Sequence, residues 1–455
     1  MRQLLIVAVT LFIAAVPLQM ATAQADLAAE ASRDVVFGAP LISDAGVARL
    51  RARDLPDVLP TIALALRFRG PNPIILEATS TLAGEPISSW HDLMLWLEAQ
   101  KTFVAHPSYR NLKLELLDRI DPEFQRFLGG ERSKPENMDI RLEEIVWGGV
   151  RVDGIPSLDT PTMTPATAAT WLEDDDLVYG VEIDGDARAY PLRIMGWHEM
   201  MNDVVGDVPV AIAYCTLCGA AIMFETEVEG RDKPFVFGSS GFLYRSNKLM
   251  FDRETDSLWN QFTGKPVTGP LRGSDIQLKV RPIATTTWAR WRDRHPTTTV
   301  LSLDTGFNRD YGSGVVYQEY FASPDLMFPA RVGDESVAQR KDLVFGVRDV
   351  AAARAWPVAA FTDAKVINDQ VGGRPIVLIG DADSRTVRAY DRGAHSFAAT
   401  PDEATLLLNG AEWRVEEDAL IGPAGERLAR VAGHLSYWFA WDGYFGAEST
   451  LFGRD

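Results

Sequence analysis

The chain contains one sequence pattern twice, first in residues 178–225 and again in residues 344–391. The two copies align without a gap, and most of the shared positions are turn-forming or small residues. The matched pairs are Gly180 and Gly346, Ala189 and Ala355, Pro191 and Pro357, Asn202 and Asn368, Asp203 and Asp369, Val205 and Val371, Gly206 and Gly372, and Pro209 and Pro375. Residues of these types set turns and close packing. The repetition therefore predicts two tandem, diverged copies of one arrangement of strands.

The two copies differ at the residues that could carry chemistry. Cys215 and Cys218 are the only cysteines of the chain, and both lie in the first copy within the motif Tyr-Cys-Thr-Leu-Cys-Gly. The second copy has Asp381 and Ser384 at the corresponding positions. Cysteine pairs at this spacing bind metals or take part in redox reactions. We therefore expect the first copy to carry a functional site and the second to serve as a scaffold.

The N-terminus has the features of a secretory signal peptide. Arg2 precedes the apolar run Leu4–Val16, and Ala21-Thr22-Ala23 forms a cleavage site of small residues. The apolar run is too short to span a bilayer. We expect residues 1–23 to be removed and the mature protein to be exported and soluble, in the periplasm or outside the cell, with no membrane insertion after cleavage.

Composition narrows the range of partners. The formal net charge of −18 disfavours binding to nucleic acid or to anionic lipid. The sequence has no glycine-rich phosphate-binding loop, so no nucleotide cofactor is expected. The expected partner is a small molecule or a protein whose identity the sequence does not indicate.

The first third of the mature chain has helical periodicity. Apolar residues recur at spacings of three and four in Val58–Phe68, Ser89–Gln100 and Tyr109–Ile120. Ser88 and Ser89 are suitable caps for the second of these helices. We therefore predict a small helical N-terminal region, residues 24–140.

From Ile145 onward, short strand-like runs alternate with Gly, Asp and Pro. We predict strands at Leu177–Ile183, Ala187–Leu192 and Val208–Tyr214, a helix at Ile194–Val204, and a hairpin that joins Ala220–Thr226 to Phe235–Phe237. The predicted fold class is α+β and mainly β, with two tandem diverged β-rich repeats after the helical region. The first repeat is assigned to residues 141–330 and the second, degenerate one to residues 331–455.

A polar stretch follows the cysteine motif, and no helix or strand period accounts for it. Arg245, Asp252 and Glu254 are candidate catalytic residues, since a guanidinium can hold an anion and carboxylates can transfer protons. Tyr244, Asn247 and Arg253 are candidate ligand-binding or cofactor-binding residues. The alternative is that these residues form a hydrogen-bonded loop that stabilises the β-rich region.

The sequence resembles the family catalogued as domain of unknown function 3179, exported bacterial and archaeal proteins with a Tyr-Cys-x-x-Cys-Gly motif. The resemblance covers about Ile140 to the C-terminus. It rests on Asp153-Gly154-Ile155-Pro156, Ala189-Tyr190-Pro191-Leu192, Trp197-His198-Glu199, Val210–Gly219, Phe251–Thr255, Ser257-Leu258-Trp259, His295-Pro296 and Ser436–Trp441. Thr216 stands where the family commonly has proline between the cysteines. The resemblance implies an exported β-rich domain and assigns no activity.

The cysteine pair has three possible roles. A strand, a Cys-x-x-Cys-Gly turn and a second strand are typical of a metal-binding knuckle. Cys215, Cys218 and His198 would then bind zinc or copper, with His295 as a further possible ligand. Alternatively, the pair acts in thiol–disulfide exchange, or it is an inert disulfide in a structural or ligand-binding module. Whether the protein is an enzyme stays open at this point.

Overall fold

The computed structural model describes residues 27–333, 335–349 and 352–454 of the chain. The predicted signal peptide, residues 1–23, lies outside the described residues. Within the described part, no helix is both long enough and apolar enough to cross a membrane. Contacts divide the chain into two compact units, Met1–Glu136 with Ile140–Glu144, and Asn137–Asp139 with Ile145–Asp455.

The first unit is helical. Its α-helices are α1 (27–37), α2 (Pro40–Arg51), α3 (Leu59–Arg69), α4 (Pro73–Ala83), α5 (Trp90–Ala99), α6 (Ser108–Ile120) and α7 (Gln125–Leu128), and short 3₁₀ turns lie at Pro56–Val58, Pro122–Phe124, Pro135–Asn137 and Leu142–Glu144. The predicted helices correspond to α3, α5 and α6 to within about one residue at either end, as expected from apolar periodicity. Ser89 caps α5, because its side chain accepts a hydrogen bond from the backbone N–H of Asp92.

The second unit consists mainly of β-strands. The strands are β1 (Ile145–Trp147), β2 (Leu158–Asp159), β3 (Met163–Pro165), β4 (Leu177–Ile183), β5 (Asp186–Pro191), β6 (Met200–Val205), β7 (Val208–Cys215), β8 (Ala220–Glu225), β9 (Phe237–Tyr244), β10 (Asn247–Asp252), β11 (Leu258–Asn260), β12 (Lys265–Thr268), β13 (Val280–Arg281), β14 (Ala284–Thr287), β15 (Thr299–Leu301), β16 (Leu343–Arg348), β17 (Ala353–Pro357), β18 (Val366–Val371), β19 (Arg374–Asp381), β20 (Thr386–Asp391), β21 (Ala398–Ala399), β22 (Thr405–Leu408), β23 (Ala411–Val415), β24 (Ala419–Ile421), β25 (Arg427–Val431), β26 (Gly433–Tyr437) and β27 (Ser449–Leu451). Helices α8 (Leu192–His198), α9 (Trp288–Arg294), α10 (Gln318–Ala322) and α11 (Trp438–Phe445) lie between them, with short 3₁₀ turns at Ala166–Ala168, Val358–Phe361 and Gly446–Glu448. The predicted α+β, mainly β fold class is confirmed.

The strands assemble into sheets whose order follows the duplication. The first copy contributes the orders β14-β4-β5-β15-β3 and β13-β8-β7-β6-β2, and the second contributes β26-β16-β17-β27 and β18-β19-β20-β25-β24-β23-β22-β21. A further sheet, β1-β9-β10-β11-β12, forms from the polar stretch after the cysteine motif and from β1. Each copy therefore has one hairpin followed by one meander. The cysteine turn of the first copy and the turn from Asp381 to Ser384 in the second consequently lie at equivalent points.

The same side-chain contacts recur in the two copies. The Asn202 side chain donates a hydrogen bond to the backbone C=O of Phe237 and accepts one from its N–H. The Asn368 side chain makes the same two hydrogen bonds with Phe397. The ring of Phe237 meets that of Trp259 edge-on at 5.4 Å, and the rings of Phe397 and Trp413 also meet edge-on at 5.4 Å. The matched residues of the sequence are therefore the residues that hold each copy together.

One predicted element is wrong in its second half. The predicted helix at Ile194–Val204 ends at His198, and Met200–Val205 is a strand instead. Glu199 has φ +54°, a left-handed conformation that ends the helix without a glycine. Asn202 then bonds Phe237, a residue far along the chain, and pairing of β6 with β7 completes the strand. Local periodicity carries no information about such tertiary bonds.

The predicted hairpin between Ala220–Thr226 and Phe235–Phe237 is also wrong. Strand β8 pairs with β7 and β13, while β9 pairs with β1 and β10. The chain leaves one sheet after Thr226 and enters another at Phe237. The polar stretch that lacked a clear period thus forms strands, and nearly all the side chains of β9, β10 and β11 are buried.

Candidate functional site

The cysteine motif occupies the turn between β7 and β8. Cys215 is the last residue of β7 and pairs with Ala220, the first residue of β8. Backbone hydrogen bonds from Cys218 N to Cys215 O (3.2 Å) and from Gly219 N to Thr216 O (3.3 Å) close the turn. Gly219 has φ +62°, a conformation that favours glycine. The turn places both cysteine side chains on one side, with their sulfur atoms 2.6 Å apart.

Both thiols are buried. Cys215 is 2 % exposed and Cys218 is 0 % exposed. The carbonyl oxygen of Ser246 lies 3.2 Å from Cys218 Sγ and 3.8 Å from Cys215 Sγ, where it can accept a hydrogen bond from either thiol. Burial raises the pKa of Cys218 well above its ordinary value, and the neighbouring Cys215 raises it further. Reduced Cys218 is therefore a neutral thiol at physiological pH.

A buried ion pair lies beside the turn. Lys248 Nζ is 3.1 Å from Glu199 Oε2 and donates a hydrogen bond to Ser239 Oγ at 2.6 Å. The Thr216 hydroxyl, which belongs to the turn, donates to Glu199 Oε1 at 2.9 Å. The negative charge of Glu199 contributes to the raised pKa of Cys218. The turn is thus connected directly to a carboxylate whose charge Lys248 balances.

A pair of amides holds the other side of the cysteines. Asn247 Nδ2 donates to Gln261 Oε1 at 2.8 Å and lies 3.5 Å from Cys218 Sγ. Gln261 in turn donates to the carbonyl oxygens of Ala213 (2.7 Å) and Ala220 (3.0 Å), which flank the turn on β7 and β8. Asn247 Oδ1 is buried and has no hydrogen-bond partner among the described residues. One acceptor beside Cys218 is therefore available to a donor.

Segments from elsewhere in the second unit cover the turn. The Tyr320 hydroxyl of α10 donates to Leu217 O at 2.7 Å, and the backbone N–H of Tyr437 donates to Cys218 O at 2.7 Å. The Ser246 hydroxyl donates to Pro329 O at 2.8 Å. Burial raises the pKa of Tyr320, and the nearby cysteines raise it further. The cysteine turn is therefore enclosed by residues that lie more than a hundred positions away from it in the chain.

Neither candidate histidine joins the cysteines. His198 is fully buried, and its Nδ1 and Nε2 lie 2.9 Å from Pro156 O and 2.6 Å from the Tyr311 hydroxyl oxygen. Burial lowers the pKa of His198, so the ring is neutral. The ring of His295 packs against that of Trp291 at a tilt of 35°, with centroids 4.1 Å apart. Across residues 27–333, 335–349 and 352–454, no three His, Cys, Asp or Glu side chains form a group that could hold a metal ion.

Two of the candidate catalytic residues lie in a turn that is held by its own hydrogen bonds. The Asp252 carboxylate accepts hydrogen bonds from Thr255 N (2.6 Å), the Thr255 hydroxyl (2.8 Å) and Trp259 Nε1 (2.9 Å). Glu254 is exposed and forms an ion pair with Arg231. The Asp252 carboxylate is thus committed to shaping the turn, and Glu254 lies at the surface.

The remaining candidates lie at the two ends of the β9–β10 hairpin. Arg253 forms a bidentate ion pair with Asp153, at 2.9 and 3.1 Å, and so ties the end of β10 to the loop before β2. Tyr244 and Arg245 lie at the other end, where the Arg245 guanidinium is 5.0 Å from the Tyr244 ring centroid. Asn247 is the candidate residue whose hydrogen bond to a cysteine is described above.

Lys248, Tyr320 and Tyr437 were not among the residues predicted for the site. Lys248 had a recognisable signal, since it is a cation directly before the apolar run Leu249–Phe251 of β10. A lysine is buried in such a strand only if it has a partner. Tyr320 and Tyr437 had no signal, because their contacts with the turn depend on how distant segments fold back.

Comparison with known proteins gives a family and no activity. No curated protein matches the chain. No solved structure matches it either. Residues 152–448, well over half of the chain, match the family described as "Protein of unknown function (DUF3179)". They include both copies of the repeat, the cysteine turn and the segments that cover it. The chain therefore belongs to the DUF3179 family.

Proposed function

We propose that this protein is exported and that Cys215 and Cys218 form a two-electron dithiol–disulfide couple. The observation that carries the proposal is the 2.6 Å separation of the two sulfur atoms on one side of a tight turn. In the reaction, two S–H bonds of the protein and the S–S bond of a small disulfide break. One S–S bond forms in the protein, and the small disulfide leaves as two thiols.

The surroundings of the pair support a slow and selective exchange. Burial excludes large partners from the sulfurs, and the raised pKa of Cys218 keeps the concentration of its thiolate low. The proposed partner is therefore a low-molecular-weight thiol or disulfide that enters after local opening of the segments over the turn. Disulfides persist in the oxidising compartments to which the predicted signal peptide would direct the chain.

A metal centre is the second candidate function. Two thiolates suit Cu(I), and with further donors they suit Zn²⁺. The observation that favours it is the buried Asn247 Oδ1, which has no hydrogen-bond partner among the described residues and belongs to a side chain whose Nδ2 lies 3.5 Å from Cys218 Sγ. Such a site would need Cys218 to lose the proton that burial favours, and a bound cation supplies the compensating charge. Metal binding thus remains a prediction that experiment can separate from redox exchange.

The first experiment measures thiols and metal in the same purified protein. Because the chain has no other cysteine, the thiol titre after unfolding belongs entirely to this pair. In glutathione buffers we expect one two-electron transition above about −300 mV, the range of exchangeable disulfides. The variant Cys215→Ser/Cys218→Ser should show no transition. A His198→Gln variant is the matched control and should keep it.

The outcomes separate the candidates. About one equivalent of zinc or copper, present in the wild type and absent from the double variant, would support the metal centre instead. A pair that stays oxidised in the folded protein well below about −300 mV, without metal, would contradict both candidates. It would indicate a disulfide that only constrains the turn.

A further inference from the structure

The second copy has a cavity where the first has its cysteines. Strand β19 ends at Asp381, which pairs with Thr386 at the start of β20, so this turn corresponds to the cysteine turn. A cavity of about 560 Å³ lies against it, lined by both residues and by Arg290 and Arg294 of α9. Sites for small molecules commonly have volumes of about 300–1,000 Å³. The cavity is therefore large enough for a small metabolite.

Two of the arginines that line the cavity belong to a cluster with an excess of positive charge. Arg294 and Arg388 line the cavity, and together with Arg430 they converge on the single carboxylate of Glu417. Arg294 Nε is 2.9 Å and Arg388 Nη2 is 2.7 Å from Glu417 Oε1. The side chains of Glu417 and Arg430 are each 4 % exposed. Three guanidinium groups thus share one negative charge in a poorly solvated place.

Four acids also line the cavity, and each has another partner. Asp381 accepts hydrogen bonds from Lys365 and from the Ser384 hydroxyl, and Arg290 Nη2 lies 3.1 Å from it. Glu403 pairs with Arg290 at 2.6 Å, Asp293 lies 3.8 Å from Arg292 Nε, and Asp402 accepts a hydrogen bond from the backbone N–H of Ala404. Among the described residues, none of these four carboxylates forms an ion pair with Arg294 or Arg388, although the negative charge of Glu403 acts on Arg388.

The charge on Arg294 is correspondingly unfavourable. Burial lowers the pKa of Arg294, and the positive charges of Arg388 and Arg430 lower it further despite Glu417. Arginine does not give up its proton in proteins. A bound anion would relieve this repulsion, and guanidinium groups are well suited to carboxylates and phosphates.

We propose that this cavity binds a small organic anion, with its carboxylate or phosphate group against Arg294 and Arg388. Val366, Ile379 and Leu406 provide an apolar wall, which suits a short aliphatic body on the ligand. The site is separate from the cysteine turn, and binding there does not depend on the redox state of Cys215 and Cys218.

Calorimetric titration of the full mature protein tests the proposal. The probes are succinate, inorganic phosphate and the uncharged analogue succinamide, each up to about 10 mM. We expect succinate, phosphate or both to bind, succinamide not to bind, and the affinity to fall as salt is added. A preference for succinate or for phosphate identifies which anion the site accepts.

Two variants locate the site. Arg294→Gln should weaken binding by at least about tenfold, the loss expected for one charge-assisted hydrogen bond. Ala399→Trp acts from an exposed position on the lining and should block binding without disturbing the core, so it serves if Arg294→Gln fails to fold. Arg231→Gln, on a remote ion pair, is the control and should bind as the wild type does. No binding of either anion to the wild type, or unchanged binding in Ala399→Trp, would overturn the proposal.

Discussion

The two copies of the repeat share a framework and differ in what lies at one turn. In the first copy the turn carries two thiols and is buried under α10, Pro329 and Tyr437. In the second copy the same turn carries Asp381 and Ser384, which bond each other at 2.7 Å beside an open cavity. The side chains of both turns are buried, and in the second copy Asp381 also lines the cavity.

The shared framework shows how this difference is tolerated. Arg188 and Tyr190 both donate to Asp203 in the first copy, while Arg354 and Trp356 both donate to Asp369 in the second. These bonds connect each hairpin to its meander, and none of them involves the side chains of the turn. The turn can therefore change chemically while the sheets that present it stay in register.

Buried charge also differs between the copies. Near the cysteines, Glu199 and Lys248 balance one another. In the second copy, Glu417 faces three arginines. Lysine can lose its proton when its partner is removed, whereas arginine keeps its charge. Replacing the acid by glutamine should therefore lower the free energy of unfolding by different amounts in the two places.

The largest expected effect comes from neutralising these two acids. Glu417→Gln should lower the free energy of unfolding by about 4 kcal/mol, since it leaves three buried cations unpaired. Glu199→Gln should cost less, about 3 kcal/mol, because it leaves one buried cation unpaired instead of three. Urea unfolding followed by tryptophan fluorescence measures both. Glu254→Gln, on an exposed ion pair, is the control and should change stability by less than about 1 kcal/mol. An equal or greater cost for Glu199→Gln would contradict the charge argument.

Two glycines test whether the frameworks are equivalent. A Cβ at Gly180 would overlap the ring of Trp291, and a Cβ at Gly346 would overlap the ring of Trp441. Gly180→Ala and Gly346→Ala should each cost about 3 kcal/mol, as expected for an overpacked core, and should differ by less than about 1 kcal/mol. The same urea experiment measures both.

A double variant checks the cause of this cost. Adding Gly180→Ala to Trp291→Leu should be much less costly than adding it to the wild type, because the smaller side chain makes room. An undiminished cost in the Leu background would show that the backbone, and not the indole ring, requires glycine at this position.

The smallest expected effect is an acid dependence of stability that comes from the second turn. Burial would raise the pKa of Asp381, but hydrogen bonds from Lys365 and Ser384 and the charge of Arg290 overcome this and lower it from 3.8 to about 2. Its stabilising contribution is therefore present above about pH 4 and is lost as the pH falls from about 4 to about 2. Asp381→Asn should remove about 1 kcal/mol of this acid dependence in thermal unfolding scans. If the acid dependence of stability is unchanged in Asp381→Asn, other carboxylates cause it.

Several helices and strands could be predicted from local patterns in the sequence. Apolar spacing predicted α3, α5 and α6, and the hairpin of β4 and β5 followed from the turn residues between its strands. The prediction failed after His198, where a left-handed Glu199 and a distant bond from Asn202 convert an apparent helix into a strand. It failed again at β9–β12, because the strands there pair in a separate sheet.

The candidate site could be predicted only around the cysteines. Their spacing and the strands on either side identified the turn, and Asn247, one of the polar candidates, lies with its Nδ2 3.5 Å from Cys218 Sγ. The structure does not bring His198 to the sulfurs, since Pro156 and Tyr311 occupy both of its ring nitrogens. The hydrogen-bonding groups available to a side chain can be read from the sequence, but which of them it uses depends on the fold.

The sequence by itself determined the duplication, the family, the mainly β character and the position of the only two thiols. These features depend on residue type and short-range spacing, which a linear chain displays directly. Tertiary structure decided which polar groups meet: Glu199 with Lys248, Asn247 with Gln261, and three arginines with Glu417. The physical reason is that a buried polar group is costly without a partner, and the fold can supply that partner from a segment that local patterns do not indicate.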